Sequence, residues 1–253
     1  MSRKIEKEEI SVELIDYMGS DIRVSNVAKV SFNKWDDESI PLNEKQVGLL
    51  KYLATGLPSS ERGDWEARAK ASTHWTPFAH CFLSIRVGVP IFLARQLHKH
   101  TIGLVINEES RRYITEDVSL WLPEVVHKKP DSAKQGASKE AHTDKLQWDF
   151  DEDYKEICLT AKEIITEVSN DAIHAYYYLI KSGVAPEEAR IILPLNSMTH
   201  WVWSGSLMAF MRVVKQRVDS HAQGAAQEFG RKLLTILNDK FPESVKAFEL
   251  DNA

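Results

Sequence analysis

The sequence predicts a helix-rich α+β fold with a small, mostly antiparallel sheet. Several long stretches carry apolar residues at a helical period, whereas only a few short stretches alternate as strands do. The chain also lacks the repeated strand–helix pattern and the glycine-rich phosphate loop of parallel α/β proteins. Its 253 residues suit one large domain, so we interpret residues 1–253 as a single domain.

The first third of the chain predicts one strand and two helices. Residues 10–17 alternate loosely and predict a strand, which the turn around Gly19 ends. The apolar residues 24–32 predict a short helix. Helical spacing over residues 42–53, followed by a stop signal at residues 56–58, predicts a second helix.

The middle of the chain predicts a buried strand and a long excursion. Thr76 should be extended, because the ring of Pro77 restricts the residue before it. Residues 81–89 alternate and are rich in β-formers, so they predict a strand. Residues 115–145 are polar and contain a Ser/Lys/Gly-rich part, which predicts a long, mobile excursion.

Between these segments, Pro90 is typical of a helix start, and we expect the helix to continue to His100. Residues at i, i+3 and i+4 of a helix share a face. The predicted helix would therefore present Gln96, Lys99 and His100 together.

Helices dominate the C-terminal half. Residues 151–182 keep a 3.6-residue period, and Gly183 fits a helix C-terminus, so this long helix is expected at a subunit interface. The remaining elements are a helix over residues 185–194, a strand over 196–206, and helices over 206–218 and 225–241.

Composition excludes several classes of protein. The net charge of −5 implies no general affinity for nucleic acid. No apolar run reaches membrane-spanning length, and the charged N-terminus lacks the apolar core of a signal sequence. The two cysteines provide no disulfide framework, which is typical of a reducing cytoplasm, where we expect the protein to act. None of the nine histidines has the spacing of a metal-binding helix, so no metal site is predicted.

The stretch from Arg95 to Tyr113 concentrates cations, carboxylates, amides and a hydroxyl around an apolar run. Such a set suits a ligand that carries a phosphate and a polar ring. A solvated helix end followed by a surface turn is the alternative that this pattern leaves open.

Single residues elsewhere point less clearly to chemistry. Cys81 lies in an apolar strand and Cys158 on an amphipathic helix, so both are interpreted as core residues. Ser110 lacks the glycine pattern of a hydrolase nucleophile and is expected to form a hydrogen bond to a ligand. Spacing alone favours a structural role for Arg190 and Arg217, with a place in a binding site as the alternative.

Four segments, in the same order, resemble the flavin-dependent thymidylate synthases. The third is similar to the family signature RHRxxSxNExSxRY, although it has KHT in place of RHR and one additional residue before Asn107. The segments are VELIDYMGSDIRVSNVAKVSF (12–32), HWTPFAHCFLSIRVGVPIFLARQ (74–96), KHTIGLVINEESRRY (99–113) and ARIILPLNSMTHWVWSGSL with QRVDSHAQ (189–223).

The resemblance implies a homotetrameric enzyme that converts dUMP into dTMP with FAD, NADPH and methylenetetrahydrofolate. Reduced flavin would supply the hydride, so the reaction would need no cysteine nucleophile. Arg217 and Ser110 are implied as the catalytic pair: Arg217 would stabilise charge on the uracil ring, and Ser110 would form a hydrogen bond to the nucleotide.

The same resemblance implies two sets of binding residues. The implied dUMP-binding residues are Gln96, Lys99, Glu108, Ser110, Arg111, Arg112, Arg190 and Arg217. The residues implied to bind FAD or shape its cleft are Ser31, Thr76, Lys99, His100, Thr101, Asn107, Glu108, Arg212 and His221.

Two alternatives remain, the first of them motivated by the KHT sequence and the additional residue. One is a related flavin enzyme that modifies another pyrimidine nucleotide, such as dCMP, or forms a hydroxymethylated product. The other is a flavin- or nucleotide-binding protein without methyl transfer.

Overall fold

The computed structural model describes residues 5–58, 60–61, 66–67, 71–130, 137–148, 158–219 and 222–250. The chain forms two compact units. Unit 1 comprises Met1–Ile10, Gly88–Gln96 and Glu108–Trp201, and unit 2 comprises Ser11–Val87, Leu97–Asn107 and Val202–Ala253. The interpretation of residues 1–253 as one domain stays a prediction.

A small sheet and many helices confirm the predicted α+β class. The described strands are β1 (Ser11–Met18), β2 (Phe82–Pro90), β3 (Leu104–Glu108), β4 (Lys145–Gln147), β5 (Cys158–Thr160) and β6 (Met198–Ser206). Four of them form a sheet in the order β1-β2-β6-β3, and β4 and β5 form a separate antiparallel pair. The strands predicted over residues 10–17, 81–89 and 196–206 correspond to β1, β2 and β6.

Strand β6 runs antiparallel to β2. In unit 2 the amide of Leu207 donates a hydrogen bond to the carbonyl of Cys81 at 2.8 Å, and in unit 1 the amide of Ile91 donates to the carbonyl of Ser197 at 2.9 Å. Both pairs of residue numbers have the same sum, as an antiparallel register requires.

Strand β6 also runs antiparallel to β3, which the sequence analysis did not predict as a strand. The amide of Ser206 donates to the carbonyl of Gly103 at 3.1 Å, and the amide of Glu109 donates to the carbonyl of His200 at 2.9 Å. The register therefore places the signature segment directly beside β6.

The predicted helices are largely confirmed. The described α-helices are α1 (Asp21–Lys29), α2 (Glu44–Thr55), α3 (Ile91–Leu97), α4 (Ala161–Lys181), α5 (Pro186–Ala189), α6 (Leu207–Arg217), α7 (Gly224–Lys240) and α8 (Pro242–Ala247). The described residues also form short 3-10 helices over Val30–Phe32, Thr76–His80 and Arg190–Ile192. The stop signal after residue 55 acts as predicted, because Gly56 has the left-handed φ of +71°.

Two helix starts were predicted wrongly. The helix predicted over residues 151–182 begins at Ala161, because Thr160 and Glu163 form a capping box and residues 158–160 pair in β5; residues 151–157 lie outside the described residues. Thr76 opens a 3-10 helix instead of an extended segment. Pro77 lies in its first turn, where the missing N–H is not needed.

The helix predicted to run to His100 ends at Leu97. Lys99 and His100 lie in the connection to β3, so the predicted shared face with Gln96 is wrong. Because residues from 104 onward pair with β6, the helix cannot continue through them, and Gly103, directly before β3, adopts the left-handed φ of +75° that glycine readily allows.

Each unit has its own apolar core. In unit 1, Val118, Leu120, Ile173 and Tyr176 are buried together, so the excursion predicted over residues 115–145 includes core residues. In unit 2, Trp203 is fully buried, and its ring lies edge-on to Phe210 at 5.6 Å. Among the described residues, no helix combines the length and apolarity needed to cross a membrane.

Candidate active site

The signature segment consists of a connection, a strand and a turn. Residues 98–103 connect α3 to β3, and residues 110–113 form a turn after β3. The amides of Tyr113 and Ile114 both donate to the carbonyl of Ser110, at 2.9 and 3.0 Å, which closes this turn. The polar residues on both sides of the strand are therefore fixed by local backbone structure.

In unit 2 the structure brings together two of the predicted residues, His100 and Arg217. The Nη2 of Arg217, in the last turn of α6, lies 2.8 Å from the Nε2 of His100. A guanidinium group can only donate, so Nε2 must be the acceptor and His100 must be neutral, with its proton on Nδ1. The predicted substrate-binding arginine is thus held by a predicted flavin-binding histidine.

Electrostatics keep His100 in this neutral form. Burial, and after it the positive charges of Arg217 and Arg212, lower the pKa of His100 to about 4. Burial also lowers the pKa of Arg217 from its ordinary value. At neutral pH the imidazole can therefore accept the hydrogen bond from Arg217 without charge repulsion.

We expect His100 to contribute to the pH dependence of stability. Unfolded His100 takes up a proton near pH 6.5, whereas the folded residue does so only near pH 4. Between these values the unfolded state binds more protons, so this contribution to stability is lost as the pH falls from 6.5 to about 4. In a His100→Gln variant, this part of the decrease in unfolding free energy at low pH should be absent.

Urea unfolding of the His100→Gln variant and the wild type at several pH values between 4 and 7.5 checks this expectation. A His80→Gln variant, altered at an exposed residue of the same unit, should keep the wild-type profile. A constant difference in unfolding free energy between wild type and His100→Gln across this range would contradict it.

A close helix contact fixes the backbone of Arg217. A Cβ atom added to Gly230 of α7 would lie 3.0 Å from both the carbonyl carbon and the Cβ of Arg217. Glycine at this position therefore allows α7 to pack directly against the end of α6.

In unit 1, two adjacent glutamates are each bound by one residue of β6. The hydroxyl of Thr199 donates to Glu108 Oε1 at 2.6 Å. The Nδ1 of His200 lies 3.2 Å from Glu109 Oε2, and its Nε2 lies 2.5 Å from Glu8 Oε1. Glu108 is a predicted site residue, whereas the other four residues were not predicted.

In the cluster of His200, Glu109 and Glu8, neighbouring charges and hydrogen bonds shift the pKa values of His200 and Glu109. The hydrogen bond to Glu109 raises the pKa of His200; burial opposes this, and Glu8 adds to it. Burial of Glu109 favours its protonated form, but the hydrogen bond and charge of His200 and the charge of Arg111 outweigh it, so its pKa is lowered. Both shifts favour an ionised pair at neutral pH.

Apart from Lys99 and Arg217 of unit 2, the other predicted nucleotide ligands lie in the same unit. The hydroxyl of Ser110 accepts a hydrogen bond from the amide of Arg112 at 3.3 Å, and Nη1 of Arg111 donates to the carbonyl of Glu116 at 2.9 Å. Arg190, which is exposed, donates to the carbonyl of Glu187 at 3.3 Å. Gln96 is half-buried at the end of α3.

The predicted flavin residues in the described part of unit 2 are largely exposed. They provide hydroxyl, amide, ammonium and guanidinium groups, a donor set that fits the diphosphate and polar ring edges of FAD. The exposed ones are Ser31, Thr76, Lys99, Thr101, Asn107 and Arg212. His221, also predicted, lies outside the described residues.

Comparisons with known proteins point to one family. The family model described as "Thymidylate synthase complementing protein" matches residues 13–243. The flavin-dependent thymidylate synthase of Thermosipho africanus is 32% identical over 237 residues, which cover 94% of this chain and 90% of that protein. That of Wolbachia pipientis wMel is 32% identical over 242 residues, covering 94% and 72%.

A solved structure shows the same fold. The UMP/dUMP methylase PolB from Streptomyces cacaoi, bound with 5-Br dUMP, superposes with a TM-score of 0.68 and 24% identity over 97% of each chain.

Proposed function

The chain belongs to the flavin-dependent thymidylate synthase family, and we propose that it methylates dUMP to dTMP with methylenetetrahydrofolate as carbon donor and FAD and NADPH as hydride source. The family match over residues 13–243 carries this proposal and confirms the resemblance drawn from the four sequence segments. The dUMP analogue bound to the related methylase PolB supports the choice of a pyrimidine nucleotide.

Arg217 is proposed to act on the uracil ring. Its guanidinium is half-buried and held by the neutral His100. A fixed cation in such a place would stabilise the negative charge that appears on the uracil ring when its N3–H ionises, and this charge raises the electron density at C5. Arg217 is then the residue that makes C5 a better nucleophile.

A second group of residues is proposed to bind the nucleotide. Ser110 would form a hydrogen bond to it, and the guanidinium groups would bind its phosphate as paired donors. The group is Gln96, Lys99, Glu108, Ser110, Arg111, Arg112 and Arg190.

FAD, when bound, supplies the redox chemistry of the reaction. The residues proposed to hold it are Ser31, Thr76, Lys99, His100, Thr101, Asn107, Glu108, Arg212 and His221. Neutral His100 adds no charge to this site and keeps Nδ1–H as a donor.

Neither cysteine is proposed as a nucleophile. Cys81 is fully buried, and burial raises the pKa of its thiol to about 12. A thiol of this kind carries almost no thiolate at neutral pH. Cys158 is exposed on β5, so its predicted place in the core of a helix is wrong; it lies outside the segments that resemble the family.

We also propose that the protein assembles as a homotetramer, with α4 at an interface. Three large apolar side chains of this helix are exposed, Ile165 at 36%, Val168 at 48% and Tyr178 at 72%. Apolar side chains that recur along one helix favour contact with another protein surface.

The decisive experiment is an assay of purified, FAD-loaded protein with dUMP, NADPH and methylenetetrahydrofolate. Formation of dTMP is expected. Product from dCMP and none from dUMP would mean that the substrate is a pyrimidine nucleotide other than dUMP. Binding of dUMP and FAD without any product would mean that the protein lacks methyl transfer.

A further inference from the structure

His200 connects the N-terminal segment to the turn after β3. Its two ring nitrogens lie 2.5 Å from Glu8 Oε1 and 3.2 Å from Glu109 Oε2. Two carboxylate acceptors require two N–H donors, and only the imidazolium form of histidine has both. The geometry therefore calls for a positively charged His200 between two negative charges.

Glu8 provides a fixed anchor for this arrangement. Its amide donates to the carbonyl of Leu120 at 2.9 Å, and the hydroxyl of Ser119 donates to its carboxylate. Leu120 is 1% exposed and belongs to the core of unit 1. Glu8, the first residue in the series of contacts Glu8–His200–Glu109, is thus attached to the core of unit 1.

Glu109 is the last residue in this series of contacts, and it directly precedes Ser110 in the sequence. Its amide donates to the carbonyl of His200 at 2.9 Å, and its Oε1 lies 3.6 Å from Nη2 of Arg111. The carboxylate is thus shared: Oε2 faces the imidazole, and Oε1 faces the guanidinium. The 3.6 Å separation is longer than a hydrogen bond, so Arg111 and Glu109 do not form a close, two-pronged pair, and Nη1 of Arg111 instead donates to the carbonyl of Glu116.

We infer that His200 is a positioning residue for nucleotide binding: by holding Glu109 against Glu8, it leaves the Arg111 guanidinium available to an anionic pyrimidine nucleotide. This inference rests on the proposed function, because that proposal places Ser110 and Arg111 at dUMP. His200 itself would not touch the nucleotide.

The charge of His200 also gives the inference a pH signature. The groups that face His200 are Glu8 and Glu109, with Arg111 next to Glu109. These carboxylates raise the pKa of His200, so the ring keeps both donors to a higher pH than an ordinary histidine and loses one as the pH rises above that pKa. Nucleotide affinity should therefore weaken on the alkaline side in the wild type.

The test compares the wild type with His200→Gln, using holoenzyme and dUMP as the probe. Glutamine keeps one donor and removes the charge. We expect the KM and Kd for dUMP to rise about tenfold, with kcat changed by no more than about threefold. The alkaline weakening of affinity should be absent in the variant. His127→Gln, altered at an exposed residue of the same unit, should match the wild type in all these measurements.

Glu8→Gln is a milder second variant, which keeps the side-chain size and an acceptor oxygen. It should move the alkaline weakening to lower pH, because one of the two negative charges beside His200 is removed. If His200→Gln does not fold, this variant decides the question. Wild-type affinity and pH profile in a folded His200→Gln, or an unchanged profile in Glu8→Gln, would overturn the inference.

Direct measurement of dUMP binding separates this inference from the proposed function. A wild type that binds dUMP through His200 but forms no dTMP would refute only the proposed function. Formation of dTMP with His200-independent binding would refute only the inference. A wild type that binds no dUMP would refute both.

Discussion

Replacing Arg217 by alanine is expected to reduce dTMP formation by about 10²- to 10³-fold, the usual effect of removing one group that stabilises charge in a transition state. The guanidinium is held at 2.8 Å by His100, so it is already in place before substrate binds. A preorganised cation needs no rearrangement when charge develops on the uracil ring. The loss should therefore appear in kcat more than in the KM for dUMP.

Two further variants make this test specific. Arg217→Lys keeps the charge but loses the planar pair of donors, so it should recover little of the activity. Arg231→Ala removes a guanidinium from the surface of α7, where it bonds only Gln227 among the described contacts, and should leave the rate unchanged. Each variant is first checked for an unchanged melting temperature and a normal flavin spectrum. A kcat for Arg217→Ala within about threefold of the wild type would refute the proposed role.

The sequence predicted those elements whose signals are local. Periodic apolar residues identified α6 and α7, and alternation identified β2, because burial of one face leaves a regular pattern in the chain. Aromatic and β-branched residues identified β6. The glycine at position 56 and the proline at position 186 mark a helix end and a helix start in the structure. In each case a single residue has a conformational preference strong enough to decide the boundary.

The segment from His98 to Glu108 was harder to predict because long-range pairing decides its structure. Its residues are compatible with a continued helix, and Lys99 and His100 have helical spacing relative to Gln96. Pairing of β3 with β6 provides backbone hydrogen bonds that a longer helix would exclude. The partner strand lies about a hundred residues away in sequence, so no local pattern could reveal it.

In the candidate site, too, the sequence could identify residues within one segment but could not identify contacts between distant segments. The residues of the signature segment were identified because they are consecutive, and the pairing of His100 with Arg217 joins two segments that the family resemblance had already selected. The contacts of His200 join residues 91 and 192 positions apart. A histidine in an aromatic strand and a glutamate in a charged N-terminus carry no spacing signal, so sequence reasoning could not connect them.

Replacing Gly205 by alanine is expected to lower the free energy of unfolding by about 3 kcal/mol or more, near the upper end of overpacking effects. Gly205 is buried in β6, where its Cα faces the chain just before β3. An added Cβ would lie 2.2 Å from the carbonyl oxygen of Gly103 and 2.7 Å from Cδ2 of Leu104. Leu104 could change rotamer, but the carbonyl oxygen belongs to the backbone and accepts the amide of Ser206.

Relief of this clash requires the two strands to separate. Separation would break the hydrogen bond that begins the β3–β6 register and would move the connection that carries His100. Activity should therefore fall together with stability, which distinguishes this variant from Arg217→Ala. Urea denaturation followed by circular dichroism gives the change in unfolding free energy.

Gly48 of α2 provides the matched control, because replacing it by alanine should raise the free energy of unfolding instead of lowering it. A Cβ added at Gly48 meets no atom within 4 Å, and alanine is favoured over glycine inside a helix by about 0.5–1 kcal/mol. Gly48→Ala should therefore be slightly more stable than the wild type. If Gly205→Ala unfolded at the wild-type urea concentration, the close approach of β6 to Gly103 would be wrong, and with it the register that places the signature segment beside His200.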